Sequence, residues 1–236
     1  MSAAIAVFAK TPELSPVKTR LAASIGKERA EEFYGLCLAV VEDVLDIAAH
    51  RIKPPLTPFW AVAEQNGLVH PAWQNMDRMW TGEGSLGERL HHVYFTLRKN
   101  YGTVLLIGTD SPQLCVRHIE QATTHLAKHK GFVMGKALDG GFYLFGGNVD
   151  VAKEIWTQTP YSVENTSAVL SQKLSLQADI HYLNELSDVD VIEDLRALLR
   201  HRAAMTLPSQ RKLIRWIDNY FEYHQLSPFT ITIPPY

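Results

Sequence analysis

Cysteine is scarce in this sequence. Cys37 and Cys115 are the only two, and neither has a neighbour at metal-ligand spacing. A disulfide scaffold is excluded on that count, and both thiols read as buried packing residues. Long apolar runs are also missing. None could span a bilayer, and no basic stretch followed by an apolar one precedes the first strand pattern, so the expected address is the cytoplasm, with no membrane partner. Excess charge of either sign is absent: 23 Lys and Arg face 25 Asp and Glu, a formal net charge of -2, which gives no support for a nucleic-acid partner.

Several catalytic motifs lack an essential part. No Gly-x-Ser-x-Gly elbow occurs, so a serine hydrolase has no support. His125 and His129 have the i, i+4 spacing of a helical zinc pair, but the glutamate of His-Glu-x-x-His is missing and no third ligand suggests itself. The Lys10–Arg20 loop has no glycine. A P-loop needs two so that backbone amides can cradle phosphates, which argues against a P-loop kinase or ATPase.

What is present is ordinary globular material, 46% hydrophobic and 20% charged, in 236 residues. Apolar runs at Ala3–Ala9, Phe59–Ala63, Thr103–Gly108, Phe132–Gly135, Phe142–Gly146 and Ile180–Leu183 predict strands, with a short one at Asp77–Trp80. Helical patterns fall between them at Lys27–His50, Leu86–Lys99, His118–Lys130, Ala152–Trp156, Val163–Leu174 and Val191–His201. This alternation predicts an α/β fold, a three-layer α/β/α Rossmann-like sheet that is mostly parallel. Residues 1–205 read as the main domain. Residues 206–236 read as a C-terminal helix (Ser209–His224) and an extended tail (Phe229–Ile233), which is expected to pack on the domain or to join a second copy in a homo-oligomer.

In an open α/β sheet, ligands bind beyond the carboxyl ends of the strands. Two segments at such ends carry suitable chemistry. The first strand spills into a cationic loop with Lys10, Lys18 and Arg20, able to hold phosphates by side chains. Asp110 follows the apolar strand Thr103–Gly108, where a carboxylate suits Mg²⁺ or Mn²⁺. Three further segments have structural readings of their own. Asp139-Gly140-Gly141 fits a hairpin turn, and its glycines would let a ligand approach the backbone. Ser187 and Asp190 have the spacing of a capping box, and Asp190 could instead complete a metal site with Asp110 if the strand ends are neighbours. Ser85 and Glu88 also fit a capping box, with Arg89 beside them at a glycine-flanked helix start that could bind an anion.

Taken in order, the segments FAKTP (8–12), VKTRL (17–21), SLGERL (85–90), IGTDSP (107–112), DGGFYL (139–144) and DVD (188–190) resemble the GT-A, or nucleotide-diphospho-sugar transferase, superfamily. Within it the chain is similar to a poorly characterised bacterial family of GT-A glycosyltransferase-like proteins, and the first loop is similar to that of phospholactate guanylyltransferases. The resemblance covers roughly residues 3–200. It implies Mg²⁺ or Mn²⁺ on Asp110 and Asp190, and a nucleotide on Lys10, Lys18, Arg20, Ser85 and Arg89. It makes Lys18, Arg20 and Asp139 the catalytic candidates, with Asp139 facing the acceptor or sugar. The expected activity is transfer of a nucleotidyl group from a nucleoside triphosphate to a phosphorylated small-molecule acceptor, with release of pyrophosphate. Glycosyl transfer from a nucleotide sugar, with Asp139 or Glu83 handling the acceptor hydroxyl, and nucleotide binding without catalysis are the alternatives.

Overall fold

The computed structural model describes residues 2–53 and 55–224, so the expected extended tail at Phe229–Ile233 lies outside the described residues. The sheet has seven strands: β1 (Ala3–Ala9), β2 (Leu56–Val62), β3 (Asp77–Trp80), β4 (Thr103–Ile107), β5 (Phe132–Lys136), β6 (Phe142–Gly147) and β7 (Ile180–Tyr182). Their spatial order is β3-β2-β1-β4-β6-β5-β7, parallel except for β6, which runs antiparallel to both β4 and β5. Asp139-Gly140-Gly141 does form the tight link that reverses β6.

Eight helices accompany the described sheet: α1 (Thr19–Ile25), α2 (Lys27–Arg51), α3 (Leu86–Arg98), α4 (Val116–Lys128), α5 (Lys153–Thr157), α6 (Thr166–Leu174), α7 (Ile192–Leu198) and α8 (Pro208–Tyr223). The pleat of β1 explains the layering. Ala3, Ile5 and Val7 face one core with residues of α2, α4, α7 and α8, while Ala4 and Ala6 face the other with residues of α3, α5 and α6. A strand covered on both faces has no room for a polar side chain, which is why β1 and β4 read as continuous apolar runs.

Helix α8 belongs to the first of these cores, with Leu213, Ile217, Tyr220 and Phe221 buried. Its Gln210 side chain is 2% exposed and donates to the carbonyls of Pro112 (3.2 Å) and Leu114 (3.3 Å). The C-terminal helix therefore braces the loop that follows β4, where Asp110 stands.

Candidate nucleotide and metal site

The parallel strands β1 and β4 lie side by side, with Val7 paired to Ile107, so the loops that follow them open at the same edge. The β1 loop is stapled at its root. The amide of Lys10 donates to the Tyr34 hydroxyl (3.0 Å), which donates to the Lys10 carbonyl (2.9 Å), and the Thr11 amide donates to Glu64 (2.7 Å). Burial pushes the Glu64 carboxyl up, but hydrogen bonds from Ser15 and Thr11 outweigh it and hold it below the usual carboxylate range. The loop ends at Lys18, whose φ of 46° is left-handed, a conformation a lysine keeps only where its surroundings fix it.

Its surroundings do so. The Lys18 side chain is 3% exposed and its ammonium touches three acceptors: the Asp110 carboxylate, the Val189 carbonyl at 2.7 Å and Asp190 Oδ1 at 3.7 Å. Burial pulls the ammonium down, but the charge of Asp110, with help from Cys37 and Asp190, holds it above the usual lysine value. Asp190 also faces Arg20, whose guanidinium lies 3.3 Å from Oδ2 and whose side chain is 71% exposed.

The segment before α7 is laced to the loop after β4. The Val189 amide donates to the Asp110 carbonyl (2.9 Å), Ser111 Oγ donates to Asp188 Oδ1 (2.5 Å), and Gln113 donates to the carbonyl of Ser187 (2.5 Å) and to its hydroxyl (3.0 Å). These ties bring Asp110, Asp188 and Asp190 to one edge. Burial pushes Asp188 up to about 6, opposed by the Ser111 hydrogen bond and assisted by Asp110 and Asp139.

The expected capping box of Ser187 and Asp190 does not form. Ser187 is held by Gln113, and Asp194 takes over as the cap, accepting from the amides of Asp190 (2.8 Å) and Val191 (2.9 Å).

A cavity of about 670 Å³ opens at this edge. Asp110, Asp188, Asp190 and Arg20 line it together with Asp139, Tyr161 and Glu164, and Phe8, Leu90 and Phe142 give it apolar surface. The Tyr161–Glu164 loop is pinned in place. Gly140, at φ 91°, lies so close that a Cβ there would stand 1.8 Å from the Glu164 carbonyl oxygen, and the Ser167 amide donates to the Gly140 carbonyl (2.8 Å).

Comparison with solved structures places this architecture. A candidate nucleotide-diphospho-sugar transferase from Desulfovibrio desulfuricans G20 superposes with a TM-score of 0.78 at 21% identity, over 95% of this chain and 99% of the other. A cytidylyltransferase from Leptospira borgpetersenii matches at 0.55 and 11% identity, over 98% of both chains. The 4-diphosphocytidyl-2C-methyl-D-erythritol synthase of Anaerococcus prevotii matches at 0.52 and 11%, over 94% and 96%. The chain shares with these structures a three-layer, mostly parallel Rossmann-like α/β fold. A family model described as "Uncharacterized protein conserved in bacteria (DUF2064)" matches residues 55–163, less than half of the chain. No curated protein matches.

On this fold the candidate residues separate into groups. Lys18, Arg20, Asp110 and Asp190 stand together, and Asp139 lines the same cavity, its Oδ1 accepting from the Gly141 amide at 2.8 Å. Lys10 is exposed, with Nζ near the Pro16 carbonyl (3.3 Å). Ser85 caps α3 in a box with Glu88, as its spacing indicates. Arg89 donates to the carbonyls of Gly84 (3.1 Å) and Ala63 (3.0 Å) and to Thr81 Oγ1 (3.2 Å), tying the ends of β2 and β3 to α3.

Asp188, Tyr161 and Glu164 were not among the candidates. Asp188 had a signal, its place beside Asp190, whereas Tyr161 and Glu164 sit in a loop between short helices and carried none. Among the described residues, no three or more His, Cys, Asp or Glu side chains are arranged to hold a metal ion.

Proposed function

We propose that this protein is a metal-dependent nucleotidyltransferase that joins a nucleotidyl group from a nucleoside triphosphate to a small phosphorylated acceptor and releases pyrophosphate. The observation that carries this reading is the convergence of Asp110 and Asp190 on one cation, the Lys18 ammonium, at the carboxyl edge of the sheet. Two carboxylates that already share a small cation fit Mg²⁺ or Mn²⁺, which need only one or two protein carboxylates when substrate phosphates and water supply the remaining ligands. Such an ion would neutralise charge on the phosphates and on the departing pyrophosphate.

The chain's own residues supply the rest. Arg20, exposed beside Asp190 and on the cavity wall, offers bidentate contact to phosphate oxygens. The ties between residues 187–189 and residues 110–113 hold the carboxylates in fixed geometry, which matters because phosphoryl-type transfer depends on positioning and electrostatics more than on covalent chemistry. Phe8, Leu90 and Phe142 give the cavity an apolar surface on which a base or sugar could pack.

A second reading has its own support. Asp139 and Glu164 line the cavity, and a carboxylate there could take the proton of an acceptor hydroxyl during glycosyl transfer from a nucleotide sugar. One experiment separates the two. The protein is incubated with each nucleoside triphosphate or nucleotide sugar, Mg²⁺ or Mn²⁺, and a panel of acceptors, and the leaving group is identified. Pyrophosphate from a triphosphate supports nucleotidyl transfer; a nucleoside diphosphate from a nucleotide sugar, with no pyrophosphate in any combination, overturns it.

A further inference from the structure

The Lys18 ammonium occupies the ground a metal ion would need. An ammonium has three N–H donors, and here the acceptors around it are the Asp110 carboxylate, the Val189 carbonyl at 2.7 Å and Asp190 Oδ1 at 3.7 Å. Asp110 and Val189 take two of its donors and Asp190 attracts it by charge, so in this arrangement the ammonium is turned to the carboxylates and enclosed rather than presented to phosphate. The side chain is 3% exposed, enclosed near Cys37, and its backbone is left-handed at φ 46°. Arg20, in the first turn of α1, differs: its side chain is 71% exposed and lines the cavity. Two cations two residues apart therefore do different work. One meets solvent and incoming anions, and the other neutralises the acidic edge from within.

We propose that Lys18 is the resident counter-ion of the Asp110–Asp190 pair, and that it excludes divalent metal from the nucleotide-free protein. This rests on the metal–nucleotide reading of the same site. A tethered cation competes for the two carboxylates at a fixed and high effective concentration, whatever the metal concentration in solution. A divalent ion and an ammonium cannot both sit between the same oxygens, because like charges at contact distance repel strongly in a partly desolvated site. Triphosphate alters the balance. It brings the negative charge that lets Lys18, a point-charge donor on a flexible stem, exchange carboxylate for phosphate oxygens, and it completes the coordination of the metal. Metal then enters only together with nucleotide, so the free protein is a poor metal binder and binding is ordered.

The test is direct Mn²⁺ binding to the full chain without nucleotide, read from the loss of the free-ion electron paramagnetic resonance signal. Wild type is expected to show no saturable binding at the acidic edge. Lys18→Met, and Lys18→Gln, which keeps a donor for the Val189 carbonyl, are expected to bind one Mn²⁺ at least roughly tenfold more tightly, because the competing charge is gone. In both variants, Asp110→Ala added as a second substitution is expected to abolish that binding. Equal affinity of wild type and both folded variants overturns the proposal. If neither variant folds, wild type alone decides: saturable Mn²⁺ binding that Asp110→Ala removes overturns it, and its absence, with a non-hydrolysable triphosphate making the protein retain Mn²⁺ in equilibrium dialysis beyond an Asp110→Ala control, upholds it. Tighter Mn²⁺ binding by the variants without pyrophosphate release by wild type would retain Lys18 as counter-ion and remove the nucleotidyl-transfer reading.

Discussion

At the scale of single residues, Lys18 at the end of the first loop and Arg20 at the start of α1 divide along their exposure. Arg20 makes an exposed ion pair with Asp190, and pairs of that kind contribute little to stability. Arg20→Ala should therefore leave the melting temperature within about a degree of wild type. It should weaken binding of a triphosphate analogue by roughly tenfold to a hundredfold, the loss expected for a charge-assisted phosphate contact. Titration calorimetry alongside a thermal melt checks both halves. A stability loss with unchanged affinity would make Arg20 a structural residue. Asp110 carries the opposite expectation: Asp110→Ala removes a partner of the buried Lys18 ammonium, so it should lower stability as well as abolish metal-dependent nucleotide binding.

At the scale of elements, the site depends on braces that lie outside the cavity. Gln210 on α8 donates to two carbonyls of the β4–α4 loop. Gln210→Leu fills similar space but leaves both carbonyls buried and unpaired, a cost of about 1–3 kcal/mol in urea unfolding, and nucleotide affinity should fall with it because the loop carries Asp110. Gly140 braces the opposite wall. Gly140→Ala combines a positive φ with a Cβ only 1.8 Å from the Glu164 oxygen, so it should cost about 2 kcal/mol or more and alter acceptor KM more than nucleotide Kd.

The elements themselves were legible where one physical signal ruled. β1, β4 and the Ser85–Glu88 cap follow from local pattern, and the structure shows all three. The adjacency of Asp110 and Asp190 was not legible, because it depends on Ser111, Gln113 and Val189 bridging segments more than seventy residues apart. The same long-range ties displaced the expected cap at Ser187. The sequence pattern starts α6 at Val163, whereas the helix begins at Thr166 and the preceding residues line the cavity. Helical propensity in that stretch is overridden by the packing of Glu164 on Gly140.

At the scale of the whole molecule, stability against pH is a sum of opposed contributions. Burial lowers His118 below its ordinary value, against a backbone hydrogen bond from Cys115, and burial also lowers His91 and His125. For such a histidine the unfolded chain takes up a proton more readily than the folded one as pH falls below about 6.5, so stability is present above that pH and is lost beneath it. Asp188 acts in the other direction. Its carboxyl, raised to about 6, costs stability at neutral pH, and that cost is relieved as pH falls from 6 towards the unfolded value of 3.8. Lys18, raised above 10.5, contributes stability that is complete below that value and is lost only as pH rises through its folded value. The acid limb between pH 6.5 and 5 is therefore where histidine loss and Asp188 relief compete. His118 is the most enclosed of the three histidines, packed edge-on against Tyr143 and accepting the Cys115 amide at Nδ1 (3.1 Å). His118→Gln keeps an acceptor for that amide and cannot take up the proton, so its denaturation midpoint should fall less than that of wild type between pH 7 and 5. Parallel slopes for the two proteins across that interval would show that His118 charges without cost and that the acid limb has another source.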